Sequence, residues 1–248
     1  MNIQEIISKI KEANDRGEEF NPLKYTSDPA MVEYAKKLNE RPETAFDYAK
    51  VKNVIHYHLN QITQISGRKF EYNEYNIPIL KCLTQYFTND VAFYPTTKEY
   101  PEIFKNRVSL QKGILLIGGY GTGKSTIITA FQRVGFPDKE FKSKSCPSIS
   151  ESWNFKDKQY FSDNWYFDEF GHETEGQFAK KDSVPAMAKI LEERYYQRHF
   201  TKSTNTGFTI LSTNLTMQDI AKKYGERLAD RIRDMFNVML LLGDSFRN

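Results

Sequence analysis

The chain has 248 residues, 39% of them apolar and 27% charged, with a net charge of +3. That is enough apolar material for a core of one large domain or two small ones, and it excludes the disordered and collagen-like classes. A charge this small identifies no polyanionic partner by itself, because one basic face can sit inside a near-neutral total. Cys82 and Cys146 stand far apart in no CxxC pair, which argues against a disulfide framework or zinc site and fits reduced cytosolic thiols.

The opening MNIQEIISKIKEANDR is charged and amphipathic, unlike a secretory signal. Ile3, Ile6, Ile7 and Ile10 recur at helical spacing, as do Met31, Tyr34, Ala35 and Leu38 after a cap at Ser27 or Asp28. Residues 44–64 and 76–87 read as two further helices. Residues 1–88 are therefore expected to be a small, mostly helical N-terminal domain. Residues 89–110 carry Pro95 and Pro101 without clean periodicity and are expected to be a linker.

From residue 111 short apolar runs alternate with helical patterns, the texture of a parallel α/β sheet. Strands are expected at Gly113–Ile117, Phe141–Ser145, Trp165–Phe167, Phe208–Ser212 and Val238–Leu242. Helices are expected at Lys124–Val134, Val184–Arg198, Met217–Tyr224 and Glu226–Met235. The runs GILLIG and VMLLLG are far too short to span a membrane. The expected setting is the cytoplasm, with no membrane partner.

GILLIGGYGTGKSTIITAF joins a buried strand, a glycine loop and a helix start. It matches G-x-x-x-x-G-K-[ST] at Gly118, Gly123, Lys124 and Ser125, the P-loop or Walker A pattern. Glycines let backbone N–H groups close on phosphate oxygens, and the following helix turns its positive end to the anion. Gly118, Gly119, Tyr120, Gly121, Thr122, Gly123, Lys124, Ser125 and Thr126 form the expected ATP-binding loop. Lys124 would reach the β- and γ-phosphates, and Ser125 would ligate Mg²⁺.

In Asn164–Glu169 an apolar strand ends in two acids, where open α/β sheets bind ligands. Asp168 is expected to hold the Mg²⁺ shell and Glu169 to polarise the attacking water. A separate carboxylate base marks the ATPases that insert a strand between the P-loop and Walker B strands. The stretch from Lys124 to Asp168 has room for it near 141–145. FTILSTNLT places Asn214 after another apolar strand. Its amide can donate and accept near a γ-phosphate, though an Asn there also suits a turn. In YGERLADRIRDMF, Arg227 and Arg231 share one helix face, and Arg227 is a candidate nucleotide contact. Arg231 is either a finger to a neighbour's ATP or the local partner of Asp230. Arg247 in GDSFRN is a further candidate for a cis contact to nucleotide.

GGYGTGKS, YFDEFG, ILSTNLT, YGERLADRIRDMF and GDSFR, in this order, resemble the DnaC-like and IstB-like AAA+ ATPases, which are replicative-helicase loaders and transposition helper ATPases. The resemblance covers about residues 111–248, and the Tyr224-Gly225-x-Arg227-Leu228-x-x-Arg231 block is its most specific part. It implies a P-loop NTPase core of the AAA+ kind, in a homo-oligomer with ATP between subunits. It puts sensor 1 on Asn214, the finger on Arg231 and a sensor-2-type role on Arg247. With Asn248 as the last residue, the core is expected to lack a C-terminal helical lid. Residues 1–88 carry no family motif. By position they would grip a helicase, a transposase or another replication protein.

Between the two ATP motifs, Lys142, Lys144, Lys156 and Lys158 interleave with Phe141, Trp153, Phe155, Tyr160 and Phe161. Such a mixture can bind single-stranded DNA, or be a solvated edge with its aromatics in the core. His56 and His58 point apart on a helix and make a poor metal pair, and His172 reads as a loop residue. The leading expectation is a magnesium-dependent ATPase that assembles on DNA or a helicase. The alternatives are a P-loop phosphotransferase for a small molecule, or a nucleotide-locked scaffold that recruits a partner.

Overall fold

The structure, a computed structural model, describes residues 48–152, 158–173, 185–200 and 207–246. The two most N-terminal helices expected from the sequence lie outside these residues.

Alternation along the strands decides the layers. β1 (Gly113–Gly118), β2 (Lys142–Ser145), β3 (Trp165–Asp168), β4 (Thr209–Thr213) and β5 (Phe236–Leu241) form one sheet. Its order is β2-β3-β4-β1-β5 and every pairing is parallel. Ile114, Leu116, Tyr166, Ile210 and Met239 face one buried cluster, while Leu115, Ile117, Phe167, Leu211 and Val238 face another. Burial on both faces explains why β1 reads as an unbroken apolar run.

The helices follow as α1 (Tyr48–Gln64), α2 (Asn76–Phe87), α3 (Phe93–Glu99), α4 (Lys124–Val134), α5 (Cys146–Ser152), α6 (Gln159–Ser162), α7 (Ala186–Phe200), α8 (Met217–Tyr224) and α9 (Glu226–Met235). α1 to α4 cover the first face and α5 to α9 the second. Thr216 caps α8 through a reciprocal box with Asp219.

Two expectations are corrected. The strand between β1 and β3 is β4, whereas the 141–145 segment is the outer strand β2. The reason is polarity. Lys142–Ser145 is largely exposed, while every residue of Thr209–Thr213 is buried, and only the latter suits a central position. Lysines on such an edge also discourage pairing with another chain. Residues 89–110 are the second correction, because they contain α3 and are not a bare linker. Pro95 sits in the first turn of α3, where its missing N–H has no intrahelical acceptor to lose. Ile103 O accepts from Leu240 N at 2.9 Å and Lys105 N donates to Val238 O at 3.2 Å, so this stretch covers the open edge of β5. Val51, Ile55, Leu59 and Phe93 share one core with Ile114, Ile127 and Phe131.

Two buried basic side chains tie down backbone near the N-terminal ends of the strands. Arg194 of α7 donates to Thr209 Oγ1 at 2.7 Å, Tyr160 O at 2.7 Å, Asp163 O at 2.9 Å and Gly207 O at 2.7 Å. Burial lowers its guanidinium pKa to about 10, so it remains a cation at neutral pH. Lys139 donates to Tyr86 O and stands 3.8 Å from the centroid of the Tyr86 ring. Burial lowers its pKa to about 7. The Tyr86 hydroxyl in turn donates to Lys112 O at 2.7 Å, next to the start of β1.

Candidate functional site

The glycine loop leaves β1 and enters α4 through two left-handed residues, Gly121 at φ 76° and Gly123 at φ 91°. Any side chain would be strained there, and a Cβ on Gly121 would lie 2.1 Å from Ser245 Oγ. Thr122 Oγ1 donates to Gly119 O at 3.0 Å, and Lys124 Nζ donates to Gly118 O and Gly119 O, both at 2.7 Å. These bonds hold the loop around its own ammonium group. The first-turn N–H groups of α4 have no intrahelical acceptors and can take an anion.

Asp168 ends β3. Its Oδ1 accepts from Glu169 N at 3.0 Å and from the Ser212 hydroxyl. Ser212 Oγ accepts from the Tyr166 hydroxyl at 3.0 Å, so a buried relay orients the carboxylate from below. Burial pushes the Tyr166 hydroxyl pKa well up, which keeps it a donor. Glu169 is exposed and stands at φ 58°. A strand would send neighbouring side chains to opposite faces. The left-handed turn instead lets Asp168 and Glu169 line one cavity.

That cavity has a volume of about 750 Å³. Tyr120, Gly121, Gly123, Lys124, Ser125 and Thr126 form its floor, and Asn214 joins the two acids on its wall. Gly118, Gly119 and Thr122 frame the loop from outside the wall. Asn214 Oδ1 contacts His172 Nε2, and the His172 ring meets Tyr120 edge-on with centroids 5.9 Å apart. Ser125 and Asp168 are hard oxygen ligands suited to Mg²⁺. Among the described residues no group of three or more His, Cys, Asp or Glu could hold a metal. A cation here would therefore complete its shell with water and ligand oxygens, as Mg²⁺ commonly does.

Two parts of the wall were not expected. The end of α1 and the turn after it supply Arg68 and Phe70, and the C-terminal segment supplies Ser245 and Phe246. Phe246 N donates to Gly121 O at 3.0 Å, Arg68 Nη1 donates to Phe246 O, and the rings of Phe70 and Phe246 lie 6.3 Å apart. The sequence signal was GDSFR for Phe246, while nothing in Ser66–Glu71 pointed to this place. His172 was readable only as a loop residue, since its partner is 42 positions away.

Arg227 and Arg231 lie outside the cavity. Arg227 is exposed on α9. Arg231 pairs with Glu192 Oε1 at 3.0 Å, not with Asp230, and its guanidinium stands 4.8 Å from the centroid of the Tyr195 ring. Arg247, Trp153, Phe155 and Lys156 lie outside the described residues. Of the lysine–aromatic segment, Phe141 and Tyr160 are buried. Lys142 pairs with Asp163 at 2.7 Å, while Lys144 and Lys158 are exposed. His56 Nδ1 bonds the Tyr72 hydroxyl at 2.6 Å. Among the described residues no helix is long and apolar enough to cross a membrane.

The chain matches no protein-family model and no curated protein.

Proposed function

We propose that this chain binds ATP with Mg²⁺ and hydrolyses it, as a P-loop ATPase of the AAA+ kind. The observation that carries the reading is convergence. The left-handed glycine loop, the acids ending β3 and the amide ending β4 all line one cavity, with β4 lying between β1 and β3. The loop amides and Lys124 would bind the phosphates, with Lys124 exchanging its carbonyl partners for phosphate oxygens. Ser125 and Asp168 would hold Mg²⁺, which when bound neutralises charge on the phosphates. Glu169, exposed and beside the cation ligand, would take a proton from water. The apolar Phe70–Phe246 pair with Arg68 offers the base a surface at the far side of the loop.

Assembly belongs to the same proposal. Arg231 stands outside its own cavity, as a finger aimed at a neighbouring subunit would, and assembly would exchange Glu192 for a phosphate. The partner is a helicase, transposase or other replication protein, with single-stranded DNA as a further ligand, in the cytoplasm. These assignments rest on the resemblance of the sequence motifs.

Equilibrium binding of a fluorescent ATP analogue and phosphate release test the core of this reading. Lys124→Ala is expected to abolish binding. Glu169→Gln is expected to keep binding and slow hydrolysis by about 100- to 10,000-fold. Wild-type turnover that persists in Glu169→Gln would refute the assigned base, and absence of binding by the wild type would refute the function.

A further inference from the structure

Asn214 is useful at a phosphate only if the correct end of its amide faces the cavity. The NH₂ end donates to an anion, whereas the carbonyl end repels it. The side chain alone does not decide, because the two ends are alike in shape. In this molecule the choice has a local cause. Asn214 Oδ1 contacts His172 Nε2, and an amide oxygen can only accept. When Nε2 carries the proton it donates to Oδ1, and the Asn214 NH₂ group is then the end left for the cavity.

His172 is itself held from two sides. Its backbone N–H donates to Glu169 O at 3.0 Å, closing the turn that begins at the left-handed Glu169. Its ring stands edge-on to Tyr120 at the tip of the glycine loop, at an interplanar angle of 62°. One imidazole therefore joins the turn after β3, the glycine loop and the end of β4, and it lines the same cavity as Asn214.

We propose that His172 is a positioning residue that fixes Asn214 with its NH₂ group toward the terminal phosphate of bound nucleotide. The inference rests on the proposed ATPase reading. It requires only a donor at the Nε2 position, so a glutamine amide should substitute and an alanine should not.

The test uses the full chain with ATP and Mg²⁺, measuring kcat, KM and the affinity of a fluorescent ATP analogue. His172→Ala is expected to lower kcat by about 10- to 100-fold, with KM and analogue affinity within about threefold. His172→Gln is expected to recover most of the rate. His172→Ala combined with Asn214→Ala should be no slower than Asn214→Ala alone, because both act through one contact. A loss of folding would weaken analogue binding, which separates a structural role from positioning. Wild-type turnover with an unaffected His172→Ala, a defect that glutamine does not rescue, or multiplying effects in the double variant would each overturn the inference alone. A wild-type chain that neither binds nor hydrolyses ATP would overturn the proposed function and this inference with it.

Discussion

At the N-terminal ends of β3 and β4, Arg194 is 3% exposed, and its guanidinium reaches Tyr160 O, Asp163 O, Gly207 O and Thr209 Oγ1. At the C-terminal ends of the same strands, Glu169 is exposed in a left-handed conformation. One end encloses a charge and gives its donors to backbone. The other strains backbone and leaves a charge facing an open cavity. The difference separates two tasks within four residues of strand. Buried donors fix the strands in place, while local strain is tolerated where a carboxylate must be aimed.

The largest expected effect tests the enclosed end. Arg194→Met removes a guanidinium and leaves several buried acceptors without donors, so unfolding in urea should show a loss of about 3–5 kcal/mol. A loss below about 1 kcal/mol would mean that the end is held by packing alone. Lys139 sharpens the same comparison through pH. Its native pKa is about 7 against an ordinary 10.5, so between these values the unfolded chain binds a proton that the folded chain does not. Stability therefore rises with pH across this window, by up to about 1.4 kcal/mol per pH unit, and the full penalty is present below it. Lys139→Met should lack that slope, and its advantage over the wild type should shrink by about 2 kcal/mol between about pH 7 and about pH 9. Equal differences at both pH values would remove Lys139 from the account. The smallest effect concerns the strained end. Glu169→Gly should be more stable than Glu169→Ala by about 1 kcal/mol in thermal melts, because only glycine adopts the left-handed turn without strain. Equal stability would show that the turn carries no strain.

The elements nearest the cavity were legible in the sequence for a physical reason. GILLIG is an apolar run and TILST is buried throughout because both faces of the sheet are covered, and Lys124–Val134 begins at the glycine that turns the chain. The site residues after β1 were legible from the glycine spacing, Asp168 as an acid directly after an apolar run, and Asn214 as part of the polar cluster that ends β4. Strand order was less so. KSKS and TILST are both short extended segments, and the sheet puts the one with two lysines at the edge. Phe70, His172 and the Tyr166–Ser212–Asp168 relay were illegible because each acts through a partner far away in sequence. The helices within 48–87 read as separate because their own periodicity is complete without the sheet they pack on.

The strand order also dictates when the glycine loop can become competent during synthesis. β1 lies between β4 and β5, which are made roughly a hundred residues later. A nascent chain that has emerged as far as α4 carries the whole glycine loop but neither neighbour of its strand. Contacts so distant in sequence form slowly, and GILLIG stays an unpaired apolar strand until then. It is thus a segment exposed to aggregation on the ribosome until β4 and β5 follow, and one that a chaperone would shield.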